Sequence, residues 1–186
     1  VIVATDDQRI ADAVAAFGGH AVMTSPDHPN GSSRAAEATA QIDAQIVVNI
    51  QGDEPFVDPA MIDEVVAALE AAPDVPSATL CCRVPPDRYD DPNVVKVVRD
   101  RNGSALYFSR SVIPYPRHAE LQVVYEHIGI YGYRRSFLRV LVGLPETPLS
   151  QTESLEQLKV LEHGYRMKVV ETSVAYDALS IDTEED

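Results

Sequence analysis

The chain has 186 residues, 45% of them hydrophobic, which is enough for one well-buried domain and short for two. Its 15 basic residues against 29 acidic ones give a formal charge of −14, which excludes a broad electrostatic surface for nucleic acid or anionic lipid and leaves small anions to local clusters of Arg, Lys or metal. No apolar run reaches bilayer length and no secretory signal is visible, so membrane insertion is not expected.

Val1 to Thr5 is a β-branched, apolar run, and Asp6-Asp7 supplies an N-cap for a helix whose apolar positions Ile10, Val14 and Phe17 share one face. Gly18-Gly19 ends it, a short strand follows at Ala21 to Met23, and the two prolines and Asn30-Gly31 of the next stretch make a loop. Ser32 or Ser33 is then the expected cap of a helix running through Ile42.

Val47-Val48-Asn49-Ile50 reads as a buried strand whose polar continuation Gln51-Gly52-Asp53-Glu54-Pro55 stands at its carboxyl end, where open α/β sheets place ligands. Gly52 lets backbone turn or approach a ligand, and Asp53 and Glu54 bring carboxylates to the mouth of the sheet. A strand followed by an acidic, solvated turn explains the same residues equally well.

Asp58-Pro59 starts the next helix, with Asp as cap and Pro at the first position, and Met61, Ile62, Val65, Val66 and Leu69 form its core stripe. Ser77 to Val84 is a strand. Its adjacent Cys81 and Cys82, the only cysteines, put one thiol on each face rather than building a disulfide framework, which fits a reducing cytoplasm. The histidines at 20, 28, 118, 127 and 163 lack the spacing of a zinc site.

Asn102-Gly103 between Val94–Val98 and Ala105–Phe108 predicts a hairpin, with loop from Ser109 to Arg117. His127-Ile128-Gly129-Ile130-Tyr131-Gly132-Tyr133 alternates at period two, so the histidine and both tyrosines share one face, and the two glycines mark a bulge or a close approach by another group. A short helix covers Phe137 to Val142. Ser150 with Glu153 predicts a capping box for one helix running to Glu162 and stopped by Gly164. Strands are expected at Tyr165 to Val170 and Ala178 to Ile181, and Thr183 with Asp186 repeats the capping-box spacing. The alternation predicts a mostly parallel, three-layer α/β domain over residues 1–186. Val1 falls inside a strand-like run and Asp186 where a helix begins, so truncation at both ends is expected.

Five ordered blocks carry a family resemblance: Asn49-Ile50-Gln51-Gly52-Asp53-Glu54-Pro55, Asn93-Val94-Val95-Lys96-Val97-Val98, Ala105-Leu106-Tyr107-Phe108-Ser109-Arg110, His127 to Tyr133, and Leu155-Glu156-Gln157-Leu158. In that order and spacing the chain resembles the 3-deoxy-manno-octulosonate (Kdo) cytidylyltransferases over essentially its whole length. The resemblance implies a Rossmann-like nucleotide-diphospho-sugar transferase fold with a mixed, mostly parallel sheet, its first strand preceding Val1, and a homodimer. It also implies transfer of CMP from CTP to Kdo with release of pyrophosphate, dependent on Mg²⁺, for lipopolysaccharide synthesis.

By the same resemblance Asp53 and Asp182 are the metal ligands and catalytic carboxylates, although Asp182 alone reads as a helix cap. Gly31, Ser32 and Arg34 match a nucleotide-contacting block in which Ser33 stands where the family carries an acid. Gln51, Gly52, Arg110, His127, Tyr131, Glu156 and Gln157 are the expected substrate contacts, because Kdo needs a cation for its carboxylate and His, Tyr, Gln or Glu for its hydroxyls. Singly, His127 reads as a hydrogen-bonded core histidine and Glu156 as a solvated helix residue. Two alternatives stand beside this reading: a relative acting on another acidic sugar such as sialic acid, and a piece without turnover retained for binding or dimerisation.

Overall fold

Strands and helices alternate along the chain as the hydrophobic pattern requires. The computed structural model describes residues 1–52, 54 and 57–176. In order they form β1 (Val3–Thr5), α1 (Gln8–Ala16), β2 (Ala21–Met23), α2 (Gly31–Ala38), β3 (Ile46–Ile50), α3 (Pro59–Ala71), β4 (Ser77–Arg83), β5 (Lys96–Arg99), β6 (Ala105–Ser109), β7 (Tyr125–Arg134), α4 (Arg135–Leu141), α5 (Pro148–Glu153), α6 (Glu156–Glu162) and β8 (Met167–Glu171). The strand expected at Ala178 to Ile181 and the capping box at Thr183 lie outside the described residues.

The sheet is built around β7. One edge of this ten-residue strand pairs antiparallel with β4, and β4 pairs parallel with β8. The other edge is divided: β3 takes Ile130 to Arg134, and β5 takes Tyr125 and Glu126. With β6 antiparallel to β5, four of the six strands (β3, β4, β5 and β8) run one way and β6 and β7 the other, giving the expected mixed sheet. β1 and β2 form a separate parallel pair.

Helices cover both faces, so the domain has three layers. Asp58 caps α3 by accepting from the Ala60 amide at 2.8 Å, with Pro59 in the first turn as its sequence predicts. Met61, Val65 and Leu69 of α3 then bury against Ala78 and Leu80 of β4 and Ile128 and Ile130 of β7. Gly132 makes this contact possible, because a Cβ there would strike Val65 Cγ1 and stand 3.1 Å from Leu69 Cδ1. On the opposite face, Cys81, Phe108 and Tyr133 meet Phe137, Leu138 and Leu141 of α4 and Leu158 of α6. Cys81 and Cys82 thus do face opposite layers, and burial pushes their thiols up to about 12 and about 11. The hairpin forms as Asn102-Gly103 predicts: Gly103 has φ +75, and Asp100 Oδ1 accepts from the amides of Asn102 and Ser104, each at 2.8 Å.

Three local expectations are corrected. The cap of α2 is Asn30, whose Oδ1 accepts from the Ser33 amide at 3.0 Å, and the helix ends at Ala38 rather than Ile42. Asn caps as well as Ser does, and it stands at the right distance before Ser33. On α1 only Val14 is buried, while Ile10 and Phe17 are 48% and 75% exposed. That helix packs mainly on β1 and β2, and two strands are too narrow to cover its stripe. The third correction falls after Thr147. That residue forms a capping box with Ser150, so the helix starts at Pro148, and it breaks at Ser154 into α5 and α6 instead of running to Glu162.

Candidate active site

The division of the β7 edge creates the site. Where β3 leaves β7 and β5 takes over, the His127 amide donates to the Val95 carbonyl at 2.8 Å and Gly129 lies at the parting. A Cβ at Gly129 would stand 3.9 Å from both Gln51 Cγ and Glu54 Oε1, so the chain beyond β3 folds over this glycine. The close approach predicted from the strand glycines is made here by Gln51 and Glu54, and at Gly132 by α3. Glu54 accepts from the Tyr176 hydroxyl at 3.2 and 3.3 Å.

A ladder irregularity sits opposite. Thr79 pairs with Tyr131 and the next residue, Leu80, with Ile128, a slip of two positions along β7. An even slip preserves alternation, so the face predicted from period two survives: His127, Tyr131 and Tyr133 form a continuous series of rings, with centroids 5.3 and 6.1 Å apart. Phe108 closes the series edge-on to His127 at 5.1 Å.

Thr79 fixes the imidazole. Its hydroxyl stands 2.8 Å from the Ile130 carbonyl and 3.1 Å from that of Ile128, and with its one proton donated to a carbonyl its oxygen accepts from His127 Nε2 at 3.0 Å. Nδ1 is then the unprotonated nitrogen and an acceptor. Burial lowers the His127 pKa to about 3, so the ring is neutral. Its chemistry is orientation by hydrogen bonding.

Glu156 enters the same site from the first turn of α6, where Ser32 Oγ donates to its Oε2 at 3.1 Å. Ser32 Oγ also meets the Tyr133 hydroxyl at 3.3 Å. Burial raises the Glu156 carboxyl above its ordinary value against the opposing Ser32 hydrogen bond, and burial with the Glu156 charge keeps Tyr131 protonated. Ser32, buried in α2, thus ties the block expected to contact nucleotide to the block expected to contact sugar. In the rest of that block, Arg34 donates to Thr24 Oγ1 at 2.7 Å and pairs with Asp6 at 3.3 Å. A Cβ at Gly31 would meet the Gln51 amide at 3.2 Å and Asn49 Nδ2 at 3.3 Å, and this Asn49 nitrogen is buried with no hydrogen-bond partner among the described residues.

The structure therefore brings together Gly31, Ser32, Gln51, His127, Tyr131 and Glu156. Gln157, next to Glu156 in the chain, is buried on α6. Arg110 is engaged elsewhere, donating to the carbonyls of Glu153 at 2.9 Å and Pro92 at 3.0 Å. At Gly52 a Cβ would meet nothing within 4 Å and φ is not left-handed, so internal packing does not require glycine there. Asp53 and Asp182 lie outside the described residues, and among the described residues no three His, Cys, Asp or Glu side chains stand together as a metal site. Two residues were missed from sequence. Thr79 orients His127 from the neighbouring strand, and Tyr133 links the ring series to Ser32. Period two already put Tyr133 on the right face, but nothing local announces Thr79.

Comparison with known proteins agrees with this geometry. Residues 1–171 match the sequence model of the family described as cytidylyltransferase. The 3-deoxy-manno-octulosonate cytidylyltransferase of Syntrophotalea carbinolica is 52% identical over 200 residues, an alignment covering 100% of this chain and 78% of that protein. Its counterpart in Geobacter metallireducens is 49% identical over 198 residues, covering 100% and 77%. The solved structure of CMP:2-keto-3-deoxy-manno-octonic acid synthetase complexed with CTP superposes with a TM-score of 0.93 at 43% identity, covering 98% of this chain and 75% of that one. The chain belongs to the cytidylyltransferase family, as a member of the 3-deoxy-manno-octulosonate cytidylyltransferases.

Proposed function

We propose that the protein transfers CMP from CTP to the anomeric hydroxyl of Kdo for lipopolysaccharide synthesis. The sugar oxygen forms a bond to the α-phosphorus, the bond from that phosphorus to the bridging oxygen breaks, pyrophosphate leaves, and the hydroxyl proton is lost. The observation that supports this reading is the hydrogen bond from Ser32, in the block expected to contact nucleotide, to Glu156, the expected sugar contact. On the sugar side, His127 Nδ1 and the Glu156 carboxylate are acceptors for hydroxyls and Tyr131 offers a phenol. On the nucleotide side, Asn49 Nδ2, without a hydrogen-bond partner among the described residues, fits a polar ligand at the end of β3. A pyrophosphate-release assay comparing Kdo with sialic acid tests the reading; turnover with sialic acid and none with Kdo would replace it.

The reading includes Mg²⁺ held by Asp53 and Asp182. Carboxylates are the hard oxygen donors this ion takes, and Asp53 follows the carboxyl end of β3 by three residues. When bound, the ion would offset phosphate charge during transfer. Asp53→Asn is expected to cost about 3–4 kcal/mol in transition-state stabilisation; near-normal turnover at saturating Mg²⁺ would remove the residue from the mechanism. The protein is further proposed to work in the cytoplasm, consistent with its two free thiols, and as a homodimer. Tyr115 and Leu121, exposed between β6 and β7, supply apolar surface for such a contact.

A further inference from the structure

Glu153 has a role that neither its predicted capping box nor the reaction accounts for. It ends α5, and its carboxylate faces β6 rather than its own helix. Oε1 accepts from Ser109 Oγ at 2.6 Å and the Tyr107 hydroxyl at 3.4 Å, and Oε2 accepts from the Arg110 amide at 3.0 Å. Arg110 closes the clasp by donating from Nε to the Glu153 carbonyl at 2.9 Å and from Nη1 to the Pro92 carbonyl at 3.0 Å. The Arg110 carbonyl accepts in turn from Lys96 at 3.0 Å, and that fully buried ammonium also donates to the Asp91 carbonyl at 2.6 Å. A buried lysine satisfied by two loop carbonyls marks a clamp built to hold those loops still.

What the clamp holds lies one residue further on. Ser154, with φ 53 and ψ 49, is the one non-glycine residue in the left-handed region among the described residues. Such a conformation persists only where the surroundings over-determine it. The Glu153 carbonyl belongs to the peptide plane that precedes the Ser154 φ, and Arg110 grips that oxygen. After the turn, Leu155 donates to the Ser150 carbonyl at 3.0 Å and is buried, and Glu156 follows at once.

We propose that Glu153 is a positioning residue for the sugar site: with Arg110 it holds α5 against β6, fixes the left-handed turn at Ser154, and so directs Glu156 into the pocket. The proposal rests on the reading of Glu156 as a Kdo contact. A released turn redirects every bond beyond Ser154, and displacements near 1 Å at a binding group carry effects of about 10²-fold.

The test is a double-mutant cycle in the full chain, with KM measured separately for Kdo and CTP. Glu153→Gln keeps the shape and removes the charge; it is expected to raise the KM for Kdo about tenfold and leave that for CTP within about twofold. In a Glu156→Gln background the same change should add less than about twofold, because it acts through Glu156. Ser109→Ala, which withdraws one donor from the other side of the clasp, should raise the same KM about threefold, and it carries the test if Glu153→Gln fails to fold. Independent, multiplicative effects of Glu153 and Glu156, an equal rise in both KM values, or an unchanged Kdo KM in Glu153→Gln and Ser109→Ala would each overturn the proposal. An unchanged Kdo KM in Glu156→Gln alone would instead bring down the sugar-pocket reading first, and this proposal with it.

Discussion

The two faces of β7 solve different problems with the same backbone. Toward α3 the strand offers Ile128, Ile130 and Gly132, dry and closely packed. Toward α2 and α6 it offers His127, Tyr131 and Tyr133, held by Thr79, Ser32 and neighbouring rings. Apolar burial is non-directional and tolerates small shifts, whereas buried polar groups must be met at hydrogen-bond geometry or their desolvation is uncompensated. The first face therefore sets stability and the second sets orientation. The two-position slip opposite Thr79 lets one strand serve both, because it bends the ladder without turning a side chain to the wrong layer.

Breaking the dry face should give the largest effect. Gly132→Ala drives a methyl into Val65 and Leu69, and overpacking of this kind is expected to cost about 3 kcal/mol in urea denaturation while the KM for Kdo in the surviving folded protein stays unchanged. A stability loss within experimental error would show that α3 retreats freely from the sheet. On the polar face the order of effects reverses. His127→Ala should raise the KM for Kdo about tenfold, some 1.4 kcal/mol, with the KM for CTP nearly unchanged. Equal changes in both constants would reduce His127 to a structural residue.

A third contrast between the faces concerns pH dependence. An unfolded imidazole takes its proton near 6.5, but His127 in the native protein does so only near about 3. Between those values the unfolded state binds more protons, so stability falls as pH drops, by at most about 1.4 kcal/mol per unit. Glu126 and Glu156 act in the opposite sense. Burial raises both above 4.5, so their contribution is complete below that pH and is lost as pH rises through the raised values. His127→Ala should make the protein relatively more resistant to acid, and an identical pH profile in melting temperature for the two proteins would contradict the lowered imidazole pKa.

These contrasts follow what the sequence could and could not convey. Alternation at 127–133 is a local signal, and it assigned the two faces of β7 before any partner was known. Asp58-Pro59 and Asn102-Gly103 are equally local, because capping and turn chemistry act within a few residues. The partners themselves are remote: Thr79 stands 48 residues from His127, and Ser32 stands 124 from Glu156. No periodicity encodes such a pair; the family blocks named both Ser32 and Glu156, and the structure supplied the bond between them. The break at Ser154 was hidden for another reason. Left-handed turns are usually announced by glycine, and this one is imposed by tertiary contacts on a residue with no preference for it. The exposed stripe of α1 shows the converse limit, since a hydrophobic pattern names the face a helix would bury but not whether anything lies opposite.

The shared edge of β7 also sets the order in which this protein opens. Its hydrogen bonds engage β3, β4 and β5, strands drawn from well-separated parts of the chain, so closing those loops costs more entropy than forming the β5–β6 hairpin. Once formed, no amide of β7 that is bonded to two neighbours can reach solvent without separating several strands together. Amides from Tyr131 to Tyr133, where β7 is paired with both β3 and β4, are accordingly those whose exchange with deuterium requires global unfolding, whereas those of β1 and β2, paired only with each other among the described residues, exchange through local fraying. The strand that carries His127, Tyr131 and Tyr133 is in this way the last to loosen, and the ring series stays assembled through motions that disturb the periphery.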